Sequence, residues 1–187
     1  MTHRALAVLG LAALLAGCST AGTQSAGATP TSSTDATPDP IPKIRDYKNL
    51  AGISPCSLLT PGQLGANQMD LPARPKKVVD APGCQWENTP HTREISIFVN
   101  VGHDVLHNVY AQREQYAVFE VTQLGEQPAI RTKNKAESTS CYYAVAAAQR
   151  QTFTLRFTSL RQGLEEPCGP ARELAEAVLS NLPPLKG

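Results

Sequence analysis

His103 and His107 stand in the stretch HDVLH, at positions i and i+4. On a helix that spacing puts both imidazoles on one face, where they can share a metal ion. A zinc hydrolase built this way also needs a glutamate as general base and a further ligand. Position 104 is Asp, one methylene shorter, and Glu114 on the same face lies roughly 16 Å along the helix from His103. The pattern therefore reads as a solvated helix start with Asp104 or His103 near the N-cap, and no metal or other cofactor is expected. No Gly-x-Ser-x-Gly elbow is present for acyl transfer. Glu165 and Glu166 precede Pro167 and read as an exposed loop, not as acids facing each other across about 5–9 Å. No catalytic residue is assigned.

Cysteine chemistry is more informative, because there are five cysteines and an odd one is left over. Cys18 follows Arg4 and an apolar run from Ala5 to Ala16. Twelve residues are too few to span a bilayer as a helix, which takes about 20. The run reads as the core of a signal peptide over residues 1–17. Leu15-Ala16-Gly17-Cys18 resembles the lipobox of bacterial lipoproteins. That resemblance implies S-diacylglycerylation of Cys18, cleavage before it, and N-acylation of its new amino group. An ordinary signal peptide that happens to contain a cysteine is the other reading. Two acyl chains hold a protein stably at a membrane, whereas one does so only marginally.

Ser19 to Pro42 contains 20 Ser, Thr, Ala, Gly or Pro among 24 residues and no aromatic. Such a composition cannot bury enough apolar surface to offset its ordering entropy. Residues 18–48 are expected to be a lipidated cysteine followed by a disordered tether. Without Arg4 the chain has 17 − 1 = 16 basic and 16 acidic residues, so its formal net charge is zero. That balance excludes the electrostatic footprint of a nucleic-acid binder. Arg74-Pro75-Lys76-Lys77 reads as a solvated loop, with contact to anionic lipid or a partner as the other reading.

Residues 49–187 suit a single domain. Cys56, Cys84, Cys141 and Cys168 contain no Cys-x-x-Cys and, on the far side of a membrane, are expected to form two disulfides. Ile95, Ile97, Val99 and Val101 alternate with Glu94, Ser96, Phe98 and Asn100, and Phe153, Leu155 and Phe157 with Thr152, Thr154, Arg156 and Thr158, which marks two half-buried strands. Cys141 to Ala148 is a third, joined to the second by a turn at Gln149-Arg150-Gln151. This hairpin brings the chain back to the level of Cys141 and favours Cys141–Cys168, leaving Cys56–Cys84. Tyr142 and Tyr143 then face opposite sides, and Trp86, two residues after Cys84, is expected in the core. Thr60-Pro61-Gly62-Gln63 opens a short helix with a capping box. Asp104 to Tyr116 and a segment from Gly169-Pro170 to the stop at Pro183 read as two more helices. The expected fold is α+β, an antiparallel β-sheet covered on one face by about three helices and stapled by two disulfides.

SPCSLLTPGQL (54–64), GCQW (83–86), LGEQPAIR (124–131), CYYAVAAAQRQTFTLRF (141–157) and PCGPARELAEAVLSNLP (167–183) occur in an order that resembles the actinobacterial lipoproteins of domain-of-unknown-function family 3558, common in mycobacteria and nocardiae. LGEQPA stands where a glycine-rich segment is more usual. The resemblance implies an extracytoplasmic, lipid-anchored protein and no established activity. The expectation is a non-enzymatic module at the outer face of the cell membrane, with an envelope lipid, glycan or protein as partner and no nucleic acid. The alternative is an envelope hydrolase or metal-dependent enzyme using His103 and His107.

Overall fold

The computed structural model describes residues 39–161 and 165–186; the expected signal peptide, Cys18 and the expected tether up to Pro38 lie outside the described residues. Pro38–Gly187 separates as one compact unit. It contains a seven-stranded antiparallel sheet built from β1 (Arg74–Val78), β2 (Ala81–Glu87), β3 (Arg93–Val101), β4 (Val118–Leu124), β5 (Gln127–Lys133), β6 (Ser140–Ala148) and β7 (Gln151–Ser159). The spatial order is β1-β2-β3-β7-β6-β5-β4. Each strand lies beside its neighbour in sequence except at the β3–β4 connection. That connection crosses the sheet and carries α2 (Val105–Ala111). The closing seam is the antiparallel β3–β7 pairing, from Arg93↔Ser159 to Val101↔Gln151.

The alternating residues of β3 and β7 do what their period predicts. Ile95, Ile97, Val99, Phe153, Leu155 and Phe157 enter the main core with Trp86 and Tyr143. Helix α3 (Cys168–Asn181) lays Ala171, Leu174, Ala175 and Val178 on the same side and ends before Pro183. Helix α1 (Pro61–Ala66) forms its capping box in both directions: Gln63 N–H donates to Thr60 Oγ1 at 3.2 Å, and Thr60 N–H donates to Gln63 Oε1 at 2.8 Å. Both disulfides pair as expected, Cys56–Cys84 joining the turn before α1 to β2 and Cys141–Cys168 joining β6 to α3.

Four expectations need correcting. The sheet is covered on both faces, because β6 carries small apolar residues on its second side. Ala144 and Ala146 there receive Leu106 of α2 and Ile41 in a separate core cluster. The helix expected from Asp104 to Tyr116 stops at Ala111, and Arg113–Gln115 forms only a 3-10 turn. The packed domain begins well before Asn49: Ile41 is 6 % exposed, and the two apolar residues Ile41 and Ile44 give this end of the expected tether something to bury. Lys48 N–H donates to the Ala147 carbonyl, and Leu185 N–H to the Tyr47 carbonyl, both at 2.8 Å. Finally, Arg74 to Lys77 is not a loop but the edge strand β1, in register with β2 from Arg74↔Gln85 onward.

Candidate functional site

One end of the sheet gathers the β1–β2 turn, the end of β3, the β6–β7 turn and the segment from Asp39 to Ser54. The register places them together: Val78 pairs with Ala81, Val101 with Gln151, and Gln151 with Ala148. Two clefts open there. The first, of about 690 Å³, is lined by Leu50, Ile53, Val78, Val79, Val99 and Val101, with Asp80, Asn100 and His103 among its polar members. A cleft of this size, mostly aliphatic with a few polar groups, is the ordinary form of a ligand site.

Its outer lip is unusual. Val79 is 85 % exposed, Val78 54 % and Val101 49 %. Val79 occupies the first position of a two-residue hairpin turn at φ 51°. A left-handed position in such a turn ordinarily carries glycine or asparagine, and a β-branched residue there is strained. Strain combined with apolar exposure marks a place where the fold alone does not explain the residue.

The second cleft, of about 560 Å³, lies between the Asp39–Tyr47 segment, the start of α2 and the β6–β7 turn. Ile41, Ile44 and Leu106 supply its apolar wall, and Asp39, Asp104 and His107 cluster at its mouth. Asp104 is the N-cap of α2 and accepts from His107 N–H at 3.2 Å. His107 Nδ1 lies 2.9 Å from the Asp104 carboxylate, and Nε2 lies 3.1 Å from Asp39 Oδ1. The Asp104 hydrogen bond is the largest cause of the raised His107 pKa; burial opposes it, and the weaker Asp39 hydrogen bond adds to it. The Ile41 N–H, then His107, lowers that of Asp39. His103 lines both clefts. The ridge between them is tied by Arg150, whose Nε donates to the Gly102 carbonyl at 2.7 Å.

The two histidines singled out by spacing thus sit on one rim, but both ring nitrogens of His107 face carboxylates. Among the described residues, no group of three or more His, Cys, Asp or Glu side chains is disposed to hold a metal ion. Glu165 is not in an exposed loop position: it is half-buried and receives Arg93 through Nη2 at 2.7 Å and Nε at 3.1 Å. Glu166 is exposed and takes Lys133 Nζ at 3.2 Å. Trp86 is buried, and Tyr143 enters the main core while Tyr142 lines a small depression on the other face. The valine lip was missed by sequence reasoning. Its signal is the run Lys77-Val78-Val79-Asp80, a sharp reversal with no Gly, Asn or Pro to make it. No helix among the described residues is long and apolar enough to cross a membrane.

No curated protein and no solved structure matches this chain. A family model does: that of the family described as "Protein of unknown function (DUF3558)" matches residues 13–181. This span covers the alternating strands, the four paired cysteines and α3, and the chain belongs to that family.

Proposed function

We propose that this protein is a lipid-anchored module of an actinobacterial-type cell envelope. It is held at the outer face of the membrane through Cys18 and binds an envelope ligand or protein without transforming it. The observation that carries this reading is the aliphatic groove at the end of the sheet, with three valines exposed at its lip. Apolar surface of this kind costs solubility unless something covers it. The apolar run before Cys18, and the lipobox-like residues around it, supply the reason for placing the groove at a membrane.

Two mass measurements test the reading. The intact mass of the exported chain should show cleavage before Cys18 and an added diacylglyceryl group. Native mass spectrometry of the oxidised chain, after incubation with a detergent extract of an actinobacterial envelope, should show a discrete adduct. An unmodified Cys18 overturns the anchor. Absence of any adduct, together with failure to crosslink a protein partner in the membrane, overturns the binding module.

A further inference from the structure

We propose that the end of the sheet bearing Val78, Val79 and Val101 is a membrane-contact surface. The β1–β2 turn enters the headgroup region of an anionic lipid bilayer, and Lys76 and Lys77 meet lipid phosphates. This deepens the binding reading by naming its ligand class, and it rests on that reading only for which side of the domain faces the membrane.

The chemistry of the hairpin is that of an interfacial anchor. Val78 and Val79 form its most exposed apolar point. An amphipathic helix at the interface buries its apolar face about 5–10 Å into the headgroup and acyl boundary, and an exposed apolar hairpin tip enters the same layer. Strand rise is about 3.3 Å per residue, so Lys77 and Lys76 stand one and two residues behind Val78, at the level of the phosphates. Their aliphatic stems can lie along the apolar boundary while the ammonium groups remain among the headgroups. Neither lysine forms an ion pair or a side-chain hydrogen bond among the described residues, and both are exposed. Asp80 sits at the turn, so the two lysines leave that hairpin end at 2 − 1 = +1.

The other acids at this end are already engaged. Asp39 and Asp104 hold His107, Asp46 holds Lys48 at 2.8 Å, and Glu126 lies 3.9 Å from Arg45. Lys43 and Arg150 add positive charge beside the second cleft. The length of chain before the domain permits this placement. Asp39 lies in the cleft that shares His103 with the valine groove, and twenty residues separate it from Cys18. Extended, they reach at most roughly 70 Å, so an anchor at Cys18 permits the valine lip to rest on the same bilayer.

Vesicle flotation tests this with the chain from residue 18 onward carrying Cys18→Ala, so that no lipid is attached. The whole described core and both disulfides lie within residues 39–186, so the fold does not depend on the leader. The chain should float with vesicles of equal parts phosphatidylcholine and phosphatidylglycerol and much less with phosphatidylcholine alone. Lys76→Gln and Lys77→Gln should each weaken partitioning about fivefold. Val79→Gly is the decisive variant: it removes the apolar tip and the backbone strain together. It should therefore raise the unfolding temperature while weakening partitioning roughly tenfold. Leu160→Ser, which removes a side chain of exposure between those of Val78 and Val79 (62 %) after the other end of β7, should change nothing. The proposal is overturned if the unlipidated chain does not float, if Val79→Gly floats as well as the parent, or if Leu160→Ser weakens floating as much. An unmodified Cys18 in the exported chain would remove the anchor and leave the vesicle result standing.

Discussion

Replacing Gly83 by alanine tests how closely β2 and β3 approach. In an ordinary strand the change gains about 0.5–1 kcal/mol, because glycine loses more conformational freedom on folding. Here the added Cβ would lie 2.7 Å from the Ile97 carbonyl oxygen and would meet the Phe98 ring as well. The ring can swing aside. The carbonyl cannot, because it belongs to the ladder in which Gly83 pairs with Phe98. Overpacking of this kind costs about 1–3 kcal/mol. Setting the entropic gain against that cost leaves a net loss of about 0–2.5 kcal/mol. For a domain of this size, each kcal/mol moves Tm by about 2–4 °C. Thermal unfolding of the oxidised chain should therefore place Gly83→Ala up to roughly 10 °C below the parent. Phe98→Ala separates the two obstacles. If the ring dominates, the double variant will be less destabilised than the sum of the singles; if the carbonyl dominates, the costs will add. A Gly83→Ala chain more stable than the parent by about the 0.5–1 kcal/mol of an ordinary strand would refute the close approach.

Thr60→Ala should cost about 0.5–2 kcal/mol in urea unfolding, and Thr60→Ser close to nothing, because only the hydroxyl of the capping box is needed. Removing Cys141–Cys168 as a paired Cys→Ala variant should lower stability by about 2–4 kcal/mol, read from the urea midpoint. The clasp of Asp39 on His107 should depend on pH in two directions. The raised His107 pKa means that its stabilisation is complete below the ordinary value of 6.5 and is lost as pH rises through the folded value. The lowered Asp39 pKa means that its stabilisation is present above the ordinary 3.8 and is lost as pH falls through the folded value. Hydrogen exchange at the Ile41 amide, corrected for intrinsic rate, should be slowest between those limits. His107→Ala should flatten the limb at higher pH and leave the acid limb, which the Ile41 N–H to Asp39 bond itself sets. A high-pH limb unchanged in His107→Ala would assign that effect elsewhere.

Elements whose signal is local were legible in the chain itself. Strands β3 and β7 show a period of two because one side faces the core and the other does not. The ends of α1 and α3 follow from Thr60 with Gln63 and from Pro183, since caps and breakers act within a few residues. The cysteine pairing followed because the β6–β7 hairpin restricts where Cys168 can go. Strand β5 gave no such pattern: Ala129 enters one cluster and Ile130 the other, and a strand buried on both faces loses its alternation. Strand β1, exposed along its whole length, has no apolar period either.

What the sequence determined by itself was the set of α and β elements with strong caps or alternation, the disulfide framework and the resemblance to a family. Tertiary structure alone decided that β7 lies beside β3, that α2 crosses the second face, and that Ile41 and Ile44 bury an end of the tether. It also decided that valines from the β1–β2 turn and the end of β3 meet residues near Leu50 in one groove. The reason is physical: these contacts join residues tens of positions apart, and no local period, cap or turn preference encodes which distant partner a buried face will find.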